Sequence, residues 1–126
     1  PEDAVKALDV GADAIIVSNH GGRQLDQTSS TISMLPKIVE AVKGKSAIWL
    51  DGGIRSGQDI LKAVALGADN TLIGRAMSYG LAANGISGCE KTLNILHTEL
   101  DMTMALCGHK NLKEVDDSIL KIESDF

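Results

Sequence analysis

The chain has 126 residues, of which 44% are hydrophobic and 23% charged, and this composition is typical of one folded domain rather than a disordered segment. A formal net charge of −5, without any cluster of lysines and arginines, argues against a nucleic-acid partner. There is no signal-peptide pattern and no apolar run long enough to cross a membrane, so we predict a cytoplasmic protein.

The first predicted elements are a helix and a short strand. Pro1-Glu2-Asp3 is typical of the first turn of a helix, with proline at the first position and acidic residues behind it. Because a capping residue is absent and the chain does not begin with Met, we expect it to be a piece of a longer protein. The apolar run Ala14 to Val17 predicts a buried strand.

The loop after this strand, Ser18 to Asp26, carries the most informative residues of the chain. His20 can act as a base, and Arg23, three residues later, can bind a carboxylate through two parallel hydrogen bonds. The glycines between them, Gly21 and Gly22, allow the backbone to approach a ligand closely. The pair therefore indicates a site that removes hydrogen from a small acid.

A helix, a strand and a second polar cluster follow in the middle of the chain. We expect the helix to run from about Pro36 to Lys43, with proline at its first position, and the next strand to comprise Ala47 to Leu50. The cluster Asp51-Gly52-Gly53-Ile54-Arg55 comes directly after that strand. Ser56 is a predicted N-cap for a further helix, with Asp59 three residues on in a pattern close to a capping box.

The chain repeats a pattern of helix, glycine stop and short strand. Gly11-Ala12-Asp13 precedes the first strand, and Gly67-Ala68-Asp69 precedes a third strand, Asn70 to Ile73, which is followed by Gly74-Arg75. Strands that alternate with helices predict parallel βα units. A long amphipathic helix from about Gly88 to Leu106 comes next, and then a charged tail over about 110–126 with a short helix and solvated residues.

All three polar clusters follow predicted strands, and parallel α/β folds bind ligands at the carboxyl ends of their strands. We therefore predict an α/β fold in which the three clusters share one face. Barrels of the (β/α)₈ type often bind phosphate at the loops after their last two strands. The Gly-Gly-x-Arg and Gly-Arg clusters suit a phosphate because they combine backbone N–H donors with guanidinium groups.

Together these motifs resemble those of the FMN-dependent 2-hydroxy-acid oxidases and dehydrogenases, a family that includes glycolate oxidase, lactate oxidase, and the lactate and mandelate dehydrogenases. The resemblance extends over nearly the whole chain and includes Tyr79-Gly80-Leu81-Ala82-Ala83. It implies that residues 1–126 form the C-terminal part of one TIM barrel, (β/α)₈, with its last three βα units. It also implies FMN at the carboxyl face and oxidation of a lactate-like L-2-hydroxy acid to the 2-oxo acid.

The resemblance implies a role for each residue of the motifs. His20 would be the catalytic base, and Arg23 would bind the substrate carboxylate. The residues that would contact FMN are Ser18, Asp51, Gly52, Gly53, Ile54, Arg55, Gly74 and Arg75. No metal is expected.

Several points stay open at this stage. Many oxidases of the family have proline where this chain has Ala76, and an alanine there is more similar to the bacterial dehydrogenase branch. Membership of that branch would allow a peripheral location on the cytoplasmic membrane face. The electron acceptor (oxygen, a quinone or a cytochrome) and the choice between hydride and carbanion chemistry are undetermined. We expect a homo-oligomer in the full-length protein. The alternatives are another FMN- or phosphate-binding barrel, such as an isomerase, and an inactive fragment.

The isolated chain is expected to lack activity and to fold poorly, because three parallel strands cannot close a barrel. The apolar side chains expected on its exposed inward face are those of Ile15, Val17, Ile48 and Leu72 or of their neighbours. Cys89 and Cys107 lack metal-ligand spacing, and we predict two reduced thiols, with a disulfide as the alternative.

Overall fold

A computed structural model describes residues 1–121, which form a three-stranded parallel sheet and its connecting helices. The strands are β1 (Ala14–Val17), β2 (Ala47–Asp51) and β3 (Asn70–Leu72), and they lie in the order β1-β2-β3. The bounds predicted for β1 are confirmed, and those for β2 and β3 differ by one residue at the carboxyl end. The predicted α/β architecture of consecutive parallel βα units is therefore confirmed.

Four helices accompany these strands in the described part of the chain. They are α1 (Glu2–Asp9), α2 (Thr31–Val42), α3 (Gly57–Ala65) and α4 (Arg75–Leu106). Helix α4 is interrupted at Asn84 and Gly85, whose backbone angles are not helical. The predicted helix from about Gly88 corresponds to the second half of α4, whereas the first half was not predicted.

The predicted start of α2 at Pro36 is wrong, because the helix begins five residues earlier, at Thr31. Pro36 lies inside the helix, where it lacks an N–H to donate to the carbonyl one turn back. Thr31 and Leu35 are both buried. Burial of this first turn therefore offsets the missing hydrogen bond, a tertiary effect that the proline pattern did not reveal.

The hydrophobic core lies between the sheet and its helices. Its members are Val17, Leu35, Val42, Ile48, Leu50, Ile54, Ala63 and Ala68. Side chains of a strand alternate between faces, so Ile48 and Leu50 face the helices while Trp49 lies on the opposite face. Ile16 pairs with Trp49 in the register and is 51% exposed, so this opposite face is the uncovered one.

Of the residues predicted on the exposed inward face, the structure therefore selects the neighbours of the named residues in β1 and β2, namely Ile16 and Trp49. Val17 and Ile48 are 5% and 3% exposed, and Ile15 is partly buried against the same core. Only Leu72 shares the uncovered face, because Asn70 pairs with Trp49 and Leu72 follows two residues later. The named residues of β1 and β2 differ from this outcome by one position, which moves every side chain of a strand to the other face.

Close backbone contacts set the positions of α3 and α4. The amide of Gly57 donates to Glu99 Oε2 at 2.8 Å, and a Cβ added at Gly57 would lie 2.0 Å from the amide nitrogen of Leu100. Within α4, a Cβ at Gly88 would lie 1.8 Å from the carbonyl oxygen of Gly80. The two halves of α4 therefore pack against each other at glycine, and no larger residue fits at these contacts.

The C-terminal segment folds differently from the predicted short helix. It contains two 3₁₀ turns, Leu112–Glu114 and Asp117–Ile119, of which the second contacts α3. The rest of the predicted tail, 122–126, lies outside the described residues. Cys89 and Cys107 are both free, as predicted. Within residues 1–121, no helix is long and apolar enough to cross a membrane.

Candidate active site

A groove of about 810 Å³ lies at the carboxyl ends of the three strands. Its lining consists of His20, Gly21, Arg23, Gln24, Asp51, Gly52, Gly53, Ile54, Arg55, Leu72, Gly74, Arg75 and Ser78. Nine of the ten residues that the sequence singled out are in this lining, and Ser18 is the exception. The parallel sheet brings them together because all three strands end at the same edge.

Ser18 connects two of the three polar clusters, although it does not line the groove. Ser18 Oγ donates to Asp51 Oδ2 at 2.5 Å and accepts from the backbone N–H of His20 at 3.1 Å. Ser18 thus links the loop after β1 to the end of β2. These two hydrogen bonds hold the backbone of His20 close to the end of β2.

The backbone of the His20 loop is left-handed over three consecutive residues. The φ angles are 56° at His20, 66° at Gly21 and 70° at Gly22, and such values are unfavourable for most residues other than glycine. The N–H of Arg23 donates to the carbonyl of His20 at 3.4 Å and closes the turn. As a result, the imidazole and the guanidinium line the same groove on a single turn of chain.

The turn after β2 presents bare backbone to the groove. Gly52 and Gly53 have φ angles of 100° and 83°, and no atom lies within 4 Å of a Cβ added at Gly53. Thr31, the first residue of α2, stabilises the turn, since its Oγ1 donates to the carbonyl of Gly52 at 3.3 Å. Ile54 is 5% exposed and anchors the turn in the core. The supporting role of Thr31 had no signal in the sequence.

The predicted capping box at the start of α3 is confirmed. Ser56 Oγ accepts from the N–H of Asp59 at 3.2 Å, and Asp59 Oδ2 accepts from the N–H groups of Ser56 and Arg55, each at 3.0 Å. Asp59 therefore holds the backbone of Arg55 and leaves its guanidinium free to face the groove.

Neither Arg55 nor Arg75, the two arginines at the end of the groove formed by the loops after β2 and β3, is neutralised by an acid within residues 1–121. The ion pairs there are Pro1 with Glu2 and Lys6 with Asp3. Arg75 opens α4, and no side chain caps this helix end at Gly74. Free amides, a helix N-terminus and two guanidiniums give this end of the groove the character of an anion site.

Four lining residues were not assigned as site residues from the sequence, and one of them is Gly21, which follows His20 in the left-handed turn. Gln24 follows Arg23 in the same loop, Leu72 ends β3, and Ser78 lies one helical turn after Gly74, with its N–H donating to the Gly74 carbonyl at 3.1 Å. The spacing of four residues from the Gly-Arg motif could have indicated Ser78. A second cavity of about 420 Å³ adjoins the groove at Gly52 and Gly53.

Other ionisable groups of the described residues form no second centre. No group of three or more His, Cys, Asp or Glu within residues 1–121 could hold a metal ion. Hydrogen bonds from the side chain and backbone of Ser118 lower the pKa of the Asp116 carboxyl, which caps the last 3₁₀ turn. This carboxyl lies outside the groove lining.

Comparison with known proteins relates these features to a family of flavoenzymes. The family model described as FMN-dependent dehydrogenase matches residues 1–122. A 2-hydroxyacid oxidase of Dictyostelium discoideum is 52% identical over 120 residues, which is 95% of this chain and 31% of that protein. An L-lactate oxidase of a Nostoc strain is 49% identical over 121 residues, 96% of this chain and 33% of its own length.

A solved structure shows the same similarity in three dimensions. The structure of mandelate oxidase with benzoyl-formic acid is 49% identical and superposes with a TM-score of 0.86 over 89% of this chain and 33% of that one. The chain thus spans about a third of the length of the relatives that it matches.

Proposed function

This chain belongs to the family of FMN-dependent dehydrogenases, and on that premise we propose that it supplies part of an active site that oxidises a small L-2-hydroxy acid to the 2-oxo acid. The observation that carries the proposal is the single groove lined by His20, Arg23 and the two arginine clusters. The names of the relatives agree with this class of substrate, because they include 2-hydroxyacid, lactate and mandelate oxidases.

The anion end of the groove fits the phosphate of FMN. Two guanidiniums without an acidic partner in residues 1–121, the uncapped start of α4 and the open backbone at Gly53 are the donors that a phosphate requires. In the proposed site, Arg55, Arg75 and the amides at Gly53 and Gly74 bind the phosphate. Asp51 carries carboxylate oxygens at the same edge and would accept from the sugar-alcohol hydroxyls of FMN.

The other end of the groove suits the acid substrate. The planar guanidinium of Arg23 would bind the carboxylate with two parallel hydrogen bonds and so orient the 2-carbon. His20 would accept a proton from the substrate, which imidazole does near neutral pH. FMN, when bound, supplies the electron acceptor that side chains lack. The base and the carboxylate clamp on one turn favour this reaction over an isomerase, which has no general need of the pair.

In the complete domain, we propose that the three βα units are the last three of a (β/α)₈ barrel, FMN lying at its carboxyl face. The uncovered face with Ile16 and Trp49 would then point into the barrel. The full-length protein would be a homo-oligomer that transfers electrons to oxygen, a quinone or a cytochrome, either in the cytoplasm or at the membrane surface.

The decisive experiment concerns His20 in the full-length protein. We expect His20→Gln to retain FMN but to abolish its anaerobic reduction by L-lactate, glycolate and mandelate in stopped-flow measurements. His97→Gln, an exposed change on α4, is the matched control and should reduce normally. Near-normal reduction of the His20 variant by the best substrate would overturn the base assignment, and failure of the wild type with every acid would overturn the proposed reaction.

A further inference from the structure

The peptide unit between Gly52 and Gly53 has glycine on both sides, so local sterics do not fix its orientation. A peptide plane rotates as a unit through ψ of the residue before it and φ of the residue after it, because the amide bond itself is planar. The φ angles are 100° at Gly52 and 83° at Gly53, and glycine adopts positive φ about as readily as negative φ. A contact from outside the turn therefore has to decide which way the Gly52 carbonyl and the Gly53 N–H point.

Thr31 makes that contact. Its Oγ1 donates to the carbonyl of Gly52 at 3.3 Å, and Thr31 is 6% exposed at the first position of α2. Residues 1–121 contain no cis peptide, so the Gly53 N–H points opposite to the Gly52 carbonyl in the same plane. A hydroxyl that holds the carbonyl towards α2 thus directs the Gly53 N–H away from α2.

Two side chains lie against the α-carbon of Gly52. A Cβ added there would lie 3.3 Å from Thr31 Oγ1 and 3.5 Å from Asn19 Oδ1. The amide of Asn19 also donates to the carbonyl of Ser29 at 3.3 Å, which holds this side chain beside the turn. At Gly53, by contrast, the chain is exposed and no atom lies within 4 Å of an added Cβ. The turn therefore contacts protein at Gly52 and is open at Gly53, where a ligand can approach.

We infer that Thr31 is a positioning residue for the anion end of the groove, because its hydroxyl selects the peptide orientation in which the Gly53 N–H faces a bound phosphate. This role rests on the proposed function, in which that amide binds the FMN phosphate together with Arg55 and Arg75. Thr31 is absent from the groove lining and would not touch the cofactor. Without its hydroxyl the peptide is free to turn over, and the Gly52 carbonyl oxygen then takes the place of the N–H donor. A carbonyl oxygen only accepts hydrogen bonds, so it repels a phosphate instead of binding it.

Riboflavin separates this role from a general loss of structure, since riboflavin is FMN without the phosphate. Binding of each flavin to the full-length apoprotein is measured by the quenching of flavin fluorescence. Thr31→Val, which keeps the shape of threonine and lacks the hydroxyl, should weaken FMN binding about tenfold or more, the effect of losing one hydrogen bond to a charged group. It should leave riboflavin binding unchanged. Thr31→Ser, which keeps the hydroxyl, should bind FMN like the wild type.

Two further variants make the test independent of side-chain shape and of folding. Thr31→Ala removes the hydroxyl without placing a methyl group beside the Gly52 carbonyl, and it should show the same selective loss of FMN. Thr103→Val is the matched control, because Thr103 also donates a partly buried hydroxyl to a backbone carbonyl, that of Glu99 at 2.6 Å, outside the groove lining. It should bind both flavins like the wild type. Urea denaturation of each apoprotein shows whether the variant is folded.

The difference between the two flavins decides the role of Thr31. A selective loss of FMN binding in Thr31→Val and Thr31→Ala, with normal binding in Thr31→Ser, supports positioning. Equal weakening of both flavins, unchanged FMN binding in Thr31→Val, or an equal loss in Thr31→Ser or Thr103→Val would overturn the inference. A wild-type protein that binds FMN no more tightly than riboflavin would instead overturn the phosphate site of the proposed function, and Thr31 would then have no donor to position.

Discussion

Removing the guanidiniums of Arg55 and Arg75 together should release FMN while leaving the fold intact. Each would contribute a charge-assisted hydrogen bond to phosphate, worth about 1.5–3 kcal/mol, so the double change to alanine should weaken FMN binding about a hundredfold or more. Both residues are exposed and neither has an ion-pair partner within residues 1–121. The free energy of unfolding of the apoprotein should therefore change by less than about 0.5 kcal/mol.

Two measurements on the full-length protein separate these effects. Gel filtration with flavin absorbance reports how much FMN stays bound, and urea denaturation of the apoprotein reports stability. Lys45→Ala with Lys91→Ala is the matched control, because it removes the same charge at exposed positions outside the groove lining. A flavin-replete arginine variant, or equal loss of FMN from the lysine variant, would refute the phosphate assignment.

Three further predictions concern the substrate, the helix packing and the isolated chain. Arg23→Lys should raise the KM for the acid more than it lowers the rate of flavin reduction, because lysine keeps the charge and loses the planar fork; unchanged values of both would exclude the carboxylate clamp. Gly57→Ala should destabilise the protein by about 3 kcal/mol in urea denaturation, since the new Cβ would lie 2.0 Å from the Leu100 amide nitrogen, whereas Gly74→Ala meets no atom within 4 Å and is the control. The chain alone should bind ANS, self-associate and show no turnover, because Ile16 and the uncovered sheet face lack a covering layer; a monomer with bound FMN, a sharp thermal transition and turnover would contradict this.

The local signals in the sequence were sufficient for the strands, the capping box and nine of the thirteen residues that line the groove. Short apolar runs predict strands, and β1 matches its predicted bounds, although only Val17 of its four residues is buried. The Ser56 capping box depends only on residues three apart, so it too can be predicted locally. The polar clusters share one groove because parallel strands all end at the same edge.

Tertiary packing decided what the local signals could not. Helix α2 extends past Pro36 because its first turn is buried, and α4 divides at Gly85, which allows its halves to meet at Gly80 and Gly88. The sequence predicted the strands but not which face of the sheet each side chain takes. Side chains alternate between the two faces, and either alternate set could face the helices; only the helices that cover Ile48 decide which set does.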